Sequence, residues 1–335
     1  MSDQDYYAEL STSIGAGDSP LIPRLFKFIC DDEEAKLLLA ASPPKTAEEL
    51  AQELSFSTEK VEKMLVTLFA KGLIFKSKKP GEVRYYRVRN IMQFHDATIL
   101  WKDAPKEFFE LWKEHTDKEI PDFWRLVKKA VGRQPARVIP IGSTIEPKNQ
   151  VLAFEDIPAI VEKARTIAVT KCTCRVVTEA PCDKPVEVCF QLDKAADYAI
   201  DRGSGRAVTK EEALRMMKEA EEAGLVHTTE NHAGVFHTIC NCCSDCCINW
   251  YNAEAKGLQV TAPSRFLAEV DTGTCTACGT CIEECPFDAI AFSENEEYAE
   301  INAEECMGCG VCAVLCPDEA ISLNEIRKPE FVPAA

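Results

Sequence analysis

Apolar residues recur at helical spacing in the first third of the chain and at alternate positions in shorter stretches beyond it. In STEKVEKMLVTLFAKGLI, Val61, Met64, Leu65, Leu68 and Phe69 share one helical face. Ser57 stands before that face as a cap, and Gly72 follows it as a C-terminal glycine. TAEELAQELSF opens on a capping box, Thr46 with Glu49. DDEEAKLLLAAS predicts a further helix, stopped by Pro43 and Pro44. LIFKSKKPGEVRYYRVR alternates about Pro80-Gly81 and predicts a hairpin. From 96 to 150 the pattern is aromatic: Trp101, Phe108, Phe109, Trp112, Phe123 and Trp124. A helical aromatic stripe predicts core packing, and nothing in it points to chemistry.

The next stretch, 151–262, mixes the two periods. EDIPAIVEKAR predicts a short helix and TIAVTKCTCRVV alternates as a strand. TKEEALRMMKEAEEAGL predicts a helix with a capping box at Thr209 and Glu212 and Gly224 at its end. VFHTICNCC predicts a second strand. This stretch holds Cys172, Cys174, Cys182, Cys189, Cys240, Cys242, Cys243, Cys246 and Cys247. Period-two geometry would put Cys172 with Cys174, and Cys240 with Cys242, on one face of each strand. Two such strands side by side would present a wall of thiols, with the helix between them as a crossover.

Nine thiols are enough for one or two Fe–S clusters. The simplest division gives Cys172, Cys174, Cys182 and Cys189 to one cluster and four of Cys240, Cys242, Cys243, Cys246 and Cys247 to the other. Adjacent cysteines such as Cys242 and Cys243 diverge, so ligands drawn from both groups remain open. So do a zinc site helped by His227, His232 or His237, inert core thiols, and a cluster with an open iron position. Cys30 stands alone at a helix end and is expected to be a buried core thiol.

Two runs further on repeat one spacing, C-x2-C-x2-C-x3-C-P: CTACGTCIEECP from Cys275 and CMGCGVCAVLCP from Cys306. They also agree at Gly279/Gly310, Ala289/Ala320 and Ile290/Ile321. Zinc more often takes C-x2-C pairs split by a longer loop. The repeat resembles bacterial-type two-[4Fe–4S] ferredoxins over 266–323. That resemblance implies a pseudo-twofold α+β fold in which the fourth cysteine of each run serves the other cluster. One cluster is then assigned to Cys275, Cys278, Cys281 and Cys316, and the other to Cys306, Cys309, Cys312 and Cys285. The proline after each fourth cysteine turns the chain away. The two glycines are expected to let the backbone pass close to sulfur.

The helices and hairpin of 20–95 resemble a winged-helix domain. The KCTCR…CNCCSDCC arrangement before a ferredoxin module resembles uncharacterised multi-cluster Fe–S proteins of anaerobic bacteria. The expected fold class is therefore multidomain α+β: a winged-helix-like domain at 1–95, an aromatic helical connector at 96–150, a cysteine-rich α+β domain at 151–262 and a two-[4Fe–4S] ferredoxin domain at 263–335.

Composition and charge narrow the function. The 335 residues carry a formal net charge of −17, against a protein that coats nucleic acid or anionic membrane. No apolar run is long enough to predict a membrane span. The opening MSDQDYYAEL lacks the basic and apolar regions of a signal peptide, so a cytoplasmic location is expected. There, eighteen cysteines are ligands rather than cystines, and exposed clusters suggest an anaerobic or microaerobic host. No Rossmann, phosphate-loop or flavin motif is found.

The expectation is an electron-transfer protein, a non-catalytic component of an oxidoreductase system. Its partner would be a redox protein or oxidoreductase subunit with a basic docking face. The alternatives are a redox-responsive DNA-binding regulator and a reductase acting at an open middle cluster. Residues 42–90 carry ten Lys/Arg against six Asp/Glu, with Lys76, Lys78, Lys79, Arg84, Arg87 and Arg89 on the predicted wing. The helix before the wing presents Glu59, Lys60, Glu62 and Lys63, a mixed set without arginine or asparagine to read base edges.

Overall fold

The computed structural model describes residues 5–79, 81–178, 182–250 and 260–334, excepting the side chains of Lys78, Lys79, Lys128 and Val131. The chain forms two compact units: Met1–Glu119 with Val176–Glu179 and Asp201–Ser204, and the rest from Ile120. Among the described residues no helix is long and apolar enough to cross a membrane.

The first unit runs α1 (Tyr6–Ser13), α2 (Ile22–Ile29), α3 (Asp32–Ala40), α4 (Ala47–Leu54), α5 (Thr58–Lys71), β1 (Ile74–Lys79), β2 (Glu82–Arg87), α6 (Ile91–Ile99) and α7 (Lys106–Lys118). The caps read from the sequence organise it. Glu49 N–H donates to Thr46 Oγ1 at 3.2 Å, and Thr46 N–H returns to Glu49 Oε2 at 2.9 Å. Lys60 N–H donates to Ser57 Oγ at 3.2 Å, and Gly72 ends α5 at φ 85°. A second capping box at Asp31–Glu34 starts α3.

The buried face of α5 (Val61, Leu65, Leu68 and Phe69) joins Leu25, Phe26, Leu37 and Leu50 in the core. The aromatic stripe packs as expected. Phe26 stacks on Phe94 at 4.3 Å, and Phe94 meets Trp112 at 5.1 Å. β1 and β2 pair antiparallel from Ile74–Arg87 to Lys79–Glu82, with Gly81 at φ 82° in the turn. Cys30 is buried, and its thiol donates to Phe26 O at 3.2 Å. Burial pushes that thiol far above its ordinary range.

From Ile120 onward α8 (Ile120–Val131), β3 (Ala136–Val138), α9 (Ile157–Lys163), β4 (Ile167–Lys171), α10 (Thr173–Val177), β5 (Glu187–Leu192), α11 (Lys194–Arg202), β6 (Gly205–Ala207), α12 (Lys210–Glu222), β7 (Val226–Glu230), β8 (Thr238–Cys242) and β9 (Thr261–Ala262) follow in order, all in the second unit except the last two residues of α10 and of α11. The strands form one seven-stranded sheet, β6-β4-β5-β8-β7-β3-β9. Every pair is antiparallel except β3 with β9. Val169, Phe190 and Ile239 pack one sheet face against Ile160 and Val161 of α9 and Ala213 and Met217 of α12.

The structure corrects one element that decides the chemistry. TIAVTKCTCRVV does not stay extended through both cysteines. β4 ends at Lys171 after a register shift at Thr170/Lys171, and Thr173–Val177 turns into α10. Cys172 and Cys174 therefore share no strand face. At α12 only half the predicted capping box forms: Glu212 N–H donates to Thr209 Oγ1 at 3.1 Å, while the Glu212 carboxylate pairs with Arg206 at 2.6 Å.

The last segment holds β10 (Phe266–Val270), β11 (Ile290–Phe292), β12 (Ala299–Ile301) and β13 (Ile321–Glu325). β10 pairs with β13 and β11 with β12, both antiparallel. Each pair is one strand ladder of a pseudo-twofold unit, with the short helices Thr280–Glu283 and Val311–Val314 between them.

Candidate metal centres

The repeated runs follow the same backbone course. Ala277 and Gly308 take left-handed φ of 55° and 61°; Gly279 and Gly310 follow at 82° and 92° and open the short helices. Asp288 and Glu319 also match, at 51° and 52°. The glycines also answer to packing. A Cβ at Gly310 would meet Thr144 Oγ1 at 2.6 Å, and one at Gly279 would meet Phe292 at 3.3 Å. Left-handed backbone and close packing both call for glycine there.

Cys275, Cys278, Cys281 and Cys316 line one cavity. Cys285, Cys306, Cys309 and Cys312 line a second. Each cavity thus takes three thiols from one run and the fourth from the other. The fourth cysteines receive backbone hydrogen bonds from the paired alanines: Ala289 N–H to Cys285 Sγ at 3.4 Å, and Ala320 N–H to Cys316 Sγ at 3.3 Å. Those N–H groups favour the thiolate that a metal needs. Burial works the other way, pushing Cys309 up to about 12 and Cys312 well above its usual range. Cys278 lies exposed, and the Thr280 backbone N–H holds its thiol low. Two quartets of soft thiolates in two such cavities fit [4Fe–4S] groups.

Residues 268–323 match a family model described as a 4Fe-4S dicluster domain. This segment is a 4Fe–4S domain. No curated protein and no solved structure matches the chain.

Upstream of the 4Fe–4S domain, the nine middle cysteines sort by sheet face rather than by sequence block. Thiols close enough to shift one another's protonation run Cys172–Cys174–Cys247–Cys242–Cys240–Cys189. Cys240 and Cys242 alternate on β8, and Cys189 lies on the neighbouring strand β5, one position before the Phe190–Ile239 pair. Thr228 Oγ1 lies 3.3 Å from Cys242 Sγ, and Gln191 Nε2 donates to Cys189 Sγ at 3.2 Å.

Cys243, one residue beyond β8, turns away from Cys242. It packs with Cys246, Val188, Ala220 and Leu225, joined by Cys182 and Cys172. The simplest division of the nine is therefore corrected. Cys182 goes with Cys243 and Cys246, while Cys174 goes with Cys242 and Cys247. The cause is the strand period: adjacent residues leave an extended chain on opposite sides.

The histidines stay outside both groups. Both ring nitrogens of His227 are engaged, by Asn241 Oδ1 at 2.5 Å and Glu221 at 2.9 Å. His232 Nδ1 accepts from Gly234 N–H at 2.9 Å, and His237 is exposed beside Glu230. The sequence missed Arg175, which is almost wholly buried and donates from both terminal nitrogens to Asn241 O at 3.3 Å. Its signal was the KCTCR run itself, a cation one residue from a cysteine.

Of the predicted wing charges, Lys76 and Arg84 form ion pairs, while the side chains of Lys78 and Lys79 lie outside the described residues. Lys76 pairs with Asp201 at 3.1 Å and lies over the Phe69 ring at 3.6 Å. Arg84 donates to both Glu49 oxygens, at 3.0 and 3.1 Å, and to Glu82. Arg87 is half-buried, and Arg89 stacks on Tyr86 at 4.1 Å. On α5, Lys60 pairs with Glu33 and Lys63 with Glu59.

Proposed function

We propose that this chain is an iron–sulfur electron-transfer protein with a third Fe–S site, held by thiols from Cys174, Cys240, Cys242 and Cys247, beside its two ferredoxin-type sites. One-electron storage is the chemistry that such groups supply when bound. The chain's residues supply the holding, the insulation and the docking. One observation carries the reading. Cys242 and Cys247 of the middle region and Cys309 of the second quartet belong to a single apolar core, with Val226, Trp250, Met307 and Val311. Trp250 packs against Phe287, which lines the second cavity, at 5.1 Å. No water-filled gap has to separate the two thiol sets, which suits electron movement between them.

Cys278 marks the opposite, exposed end. Residues 263–335 carry three Lys/Arg against fifteen Asp/Glu, so most of the net charge of the chain lies here. A partner with a basic face would be steered to this end, and its association should slow as ionic strength rises.

The anaerobically purified protein is expected to hold more than the eight iron atoms of two cubanes, with an excess of about four. Cys242→Ser should remove that excess and leave the ferredoxin spectra in place. Iron at about eight atoms with no response to Cys242→Ser would end the case for a third Fe–S site.

The helices and hairpin of the first unit are read as a winged helix used for docking or structure. With Lys76 and Arg84 of the predicted wing engaged in ion pairs, and Lys60 and Lys63 of α5 likewise, part of the positive charge that could meet phosphates is neutralised within the protein. Gel-shift titration of the anaerobic protein is expected to show weak attachment to any DNA, disappearing as salt rises. Preference for one sequence by about a thousandfold or more, shifting on reduction with dithionite, would put the regulator first.

A further inference from the structure

Three thiols of the middle region stand apart from the rest by their spacing. Cys182 Sγ lies 3.8 Å from Cys243 Sγ and 3.7 Å from Cys246 Sγ. Among the described residues, these form the one set of three or more Cys, His, Asp or Glu ligand atoms that all lie within 4.8 Å of one another. Neither ferredoxin quartet reaches that spacing, and neither does the chain of thiols around Cys242. We propose that Cys182, Cys243 and Cys246 hold a single tetrahedral zinc ion, completed by a non-cysteine donor, and not an iron–sulfur cluster.

The distances distinguish the two kinds of site. A tetrahedral ion with Zn–S bonds of about 2.3 Å sets its sulfurs about 3.8 Å apart, because the edge of a tetrahedron is about 1.63 times its centre-to-corner length. In a cubane each thiolate binds a different iron, so the sulfurs stand farther apart. The ferredoxin quartets provide that contrast within this chain. A disulfide needs sulfurs at about 2.05 Å and can join only two of the three.

The local chain suits a zinc knuckle. Cys243 and Cys246 are spaced C-x2-C in the turn that leaves β8, and Cys182 arrives from the loop before β5. The site is walled by Val188, Ala220 and Leu225, and Cys243 and Cys246 are almost fully buried. A buried site must balance its charge. Three thiolates and a divalent zinc sum to −1. Arg175, buried beside Cys182 and Cys243, supplies the missing positive charge. With Arg175 included, a neutral fourth donor such as water leaves the site uncharged, whereas a fourth thiolate would not. This site stands independently of the electron-transfer reading and would tie the Cys182 loop to the end of the sheet.

The test uses the full chain, purified anaerobically from cells given both iron and zinc. Elemental analysis is expected to show stoichiometric zinc beside the iron. Zinc X-ray absorption on the wild-type protein should give about three sulfurs near 2.3 Å and one lighter neighbour. Cys246→Ser and Cys182→Ser should each remove the zinc and leave iron per chain unchanged. The absorption measurement needs no variant, so it decides the matter even if both substitutions impair folding. Zinc absent from the wild type, four sulfurs around the zinc, or a loss of about four iron atoms on Cys246→Ser would each overturn the assignment. Because the third-cluster test reads iron lost on Cys242→Ser, the two proposals can fail separately.

Discussion

Cys285→Ser is expected to abolish the cluster site of Cys306, Cys309 and Cys312, more than twenty residues further on in sequence, while the other three cysteines of its own run keep theirs. Cys285 lines the second cavity with those three thiols and is absent from the first. About four iron atoms should be lost, one cubane's worth. Pairing substitutions sharpens the result. Adding Cys309→Ser to Cys285→Ser should remove no more iron than either change alone, because both strike one site. Adding Cys278→Ser should remove about eight atoms, because the two then strike different sites. The reverse pattern, with Cys285 and Cys278 behaving as one unit, would show that each run closes on itself.

The second large effect falls far from any cysteine. Arg265 and Glu155 are both almost wholly buried. The guanidinium reaches Glu155 at 2.7, 2.9 and 3.1 Å, Glu325 at 2.6 Å, and the carbonyls of Gln150 and Arg327 at 2.8 and 2.9 Å. It thereby ties the 150–155 segment to the Phe266–Glu325 end of the β10–β13 ladder. Glu155→Ala would leave a buried guanidinium with only part of its neutralising charge. Breaking a buried pair in this way costs about 3–5 kcal/mol. Anaerobic urea unfolding should show the loss as a lower midpoint, with the ferredoxin chromophore bleaching earlier. Replacing both partners with apolar residues (Glu155→Leu with Arg265→Met) should recover much of it, since no charge is then stranded. A Glu155→Ala protein as stable as the wild type would mean that Glu325 alone suffices for Arg265.

Much of this architecture could be read from residues one at a time. Ser57, Thr46 and Gly72 act locally, so their caps form where the sequence put them. The ferredoxin runs were legible for the same reason: each loop is a fixed spacing of cysteine and glycine with its own left-handed turns. The Phe and Trp stripe on α7 was legible as core. The middle region was not, and its difficulty has a physical cause. Its thiols are brought together by the pairing of β5, β7 and β8, and that register depends on residues distant in sequence. Spacing showed that Cys172 and Cys174 lie two apart, but not that the chain leaves the strand between them. Arg175 escaped notice because its value lies in burial, which a sequence does not display.

The crossing of the two ferredoxin runs also bears on how the molecule is made. A quartet is complete only when its last cysteine has been synthesised. The three thiols around Cys182 are all present once Cys246 has been added. The quartet containing Cys285 waits for Cys312, and the one containing Cys275 waits for Cys316. At about 5–20 residues per second, the interval from Cys246 to Cys316 is roughly 4–14 s. During translation, Cys275, Cys278 and Cys281 are thus the first thiols of their domain to emerge and the last to gain a complete site. On the crossed assignment, a cluster at that quartet has to wait for the loop that carries Cys316, and the three early thiols stand without their fourth partner until then.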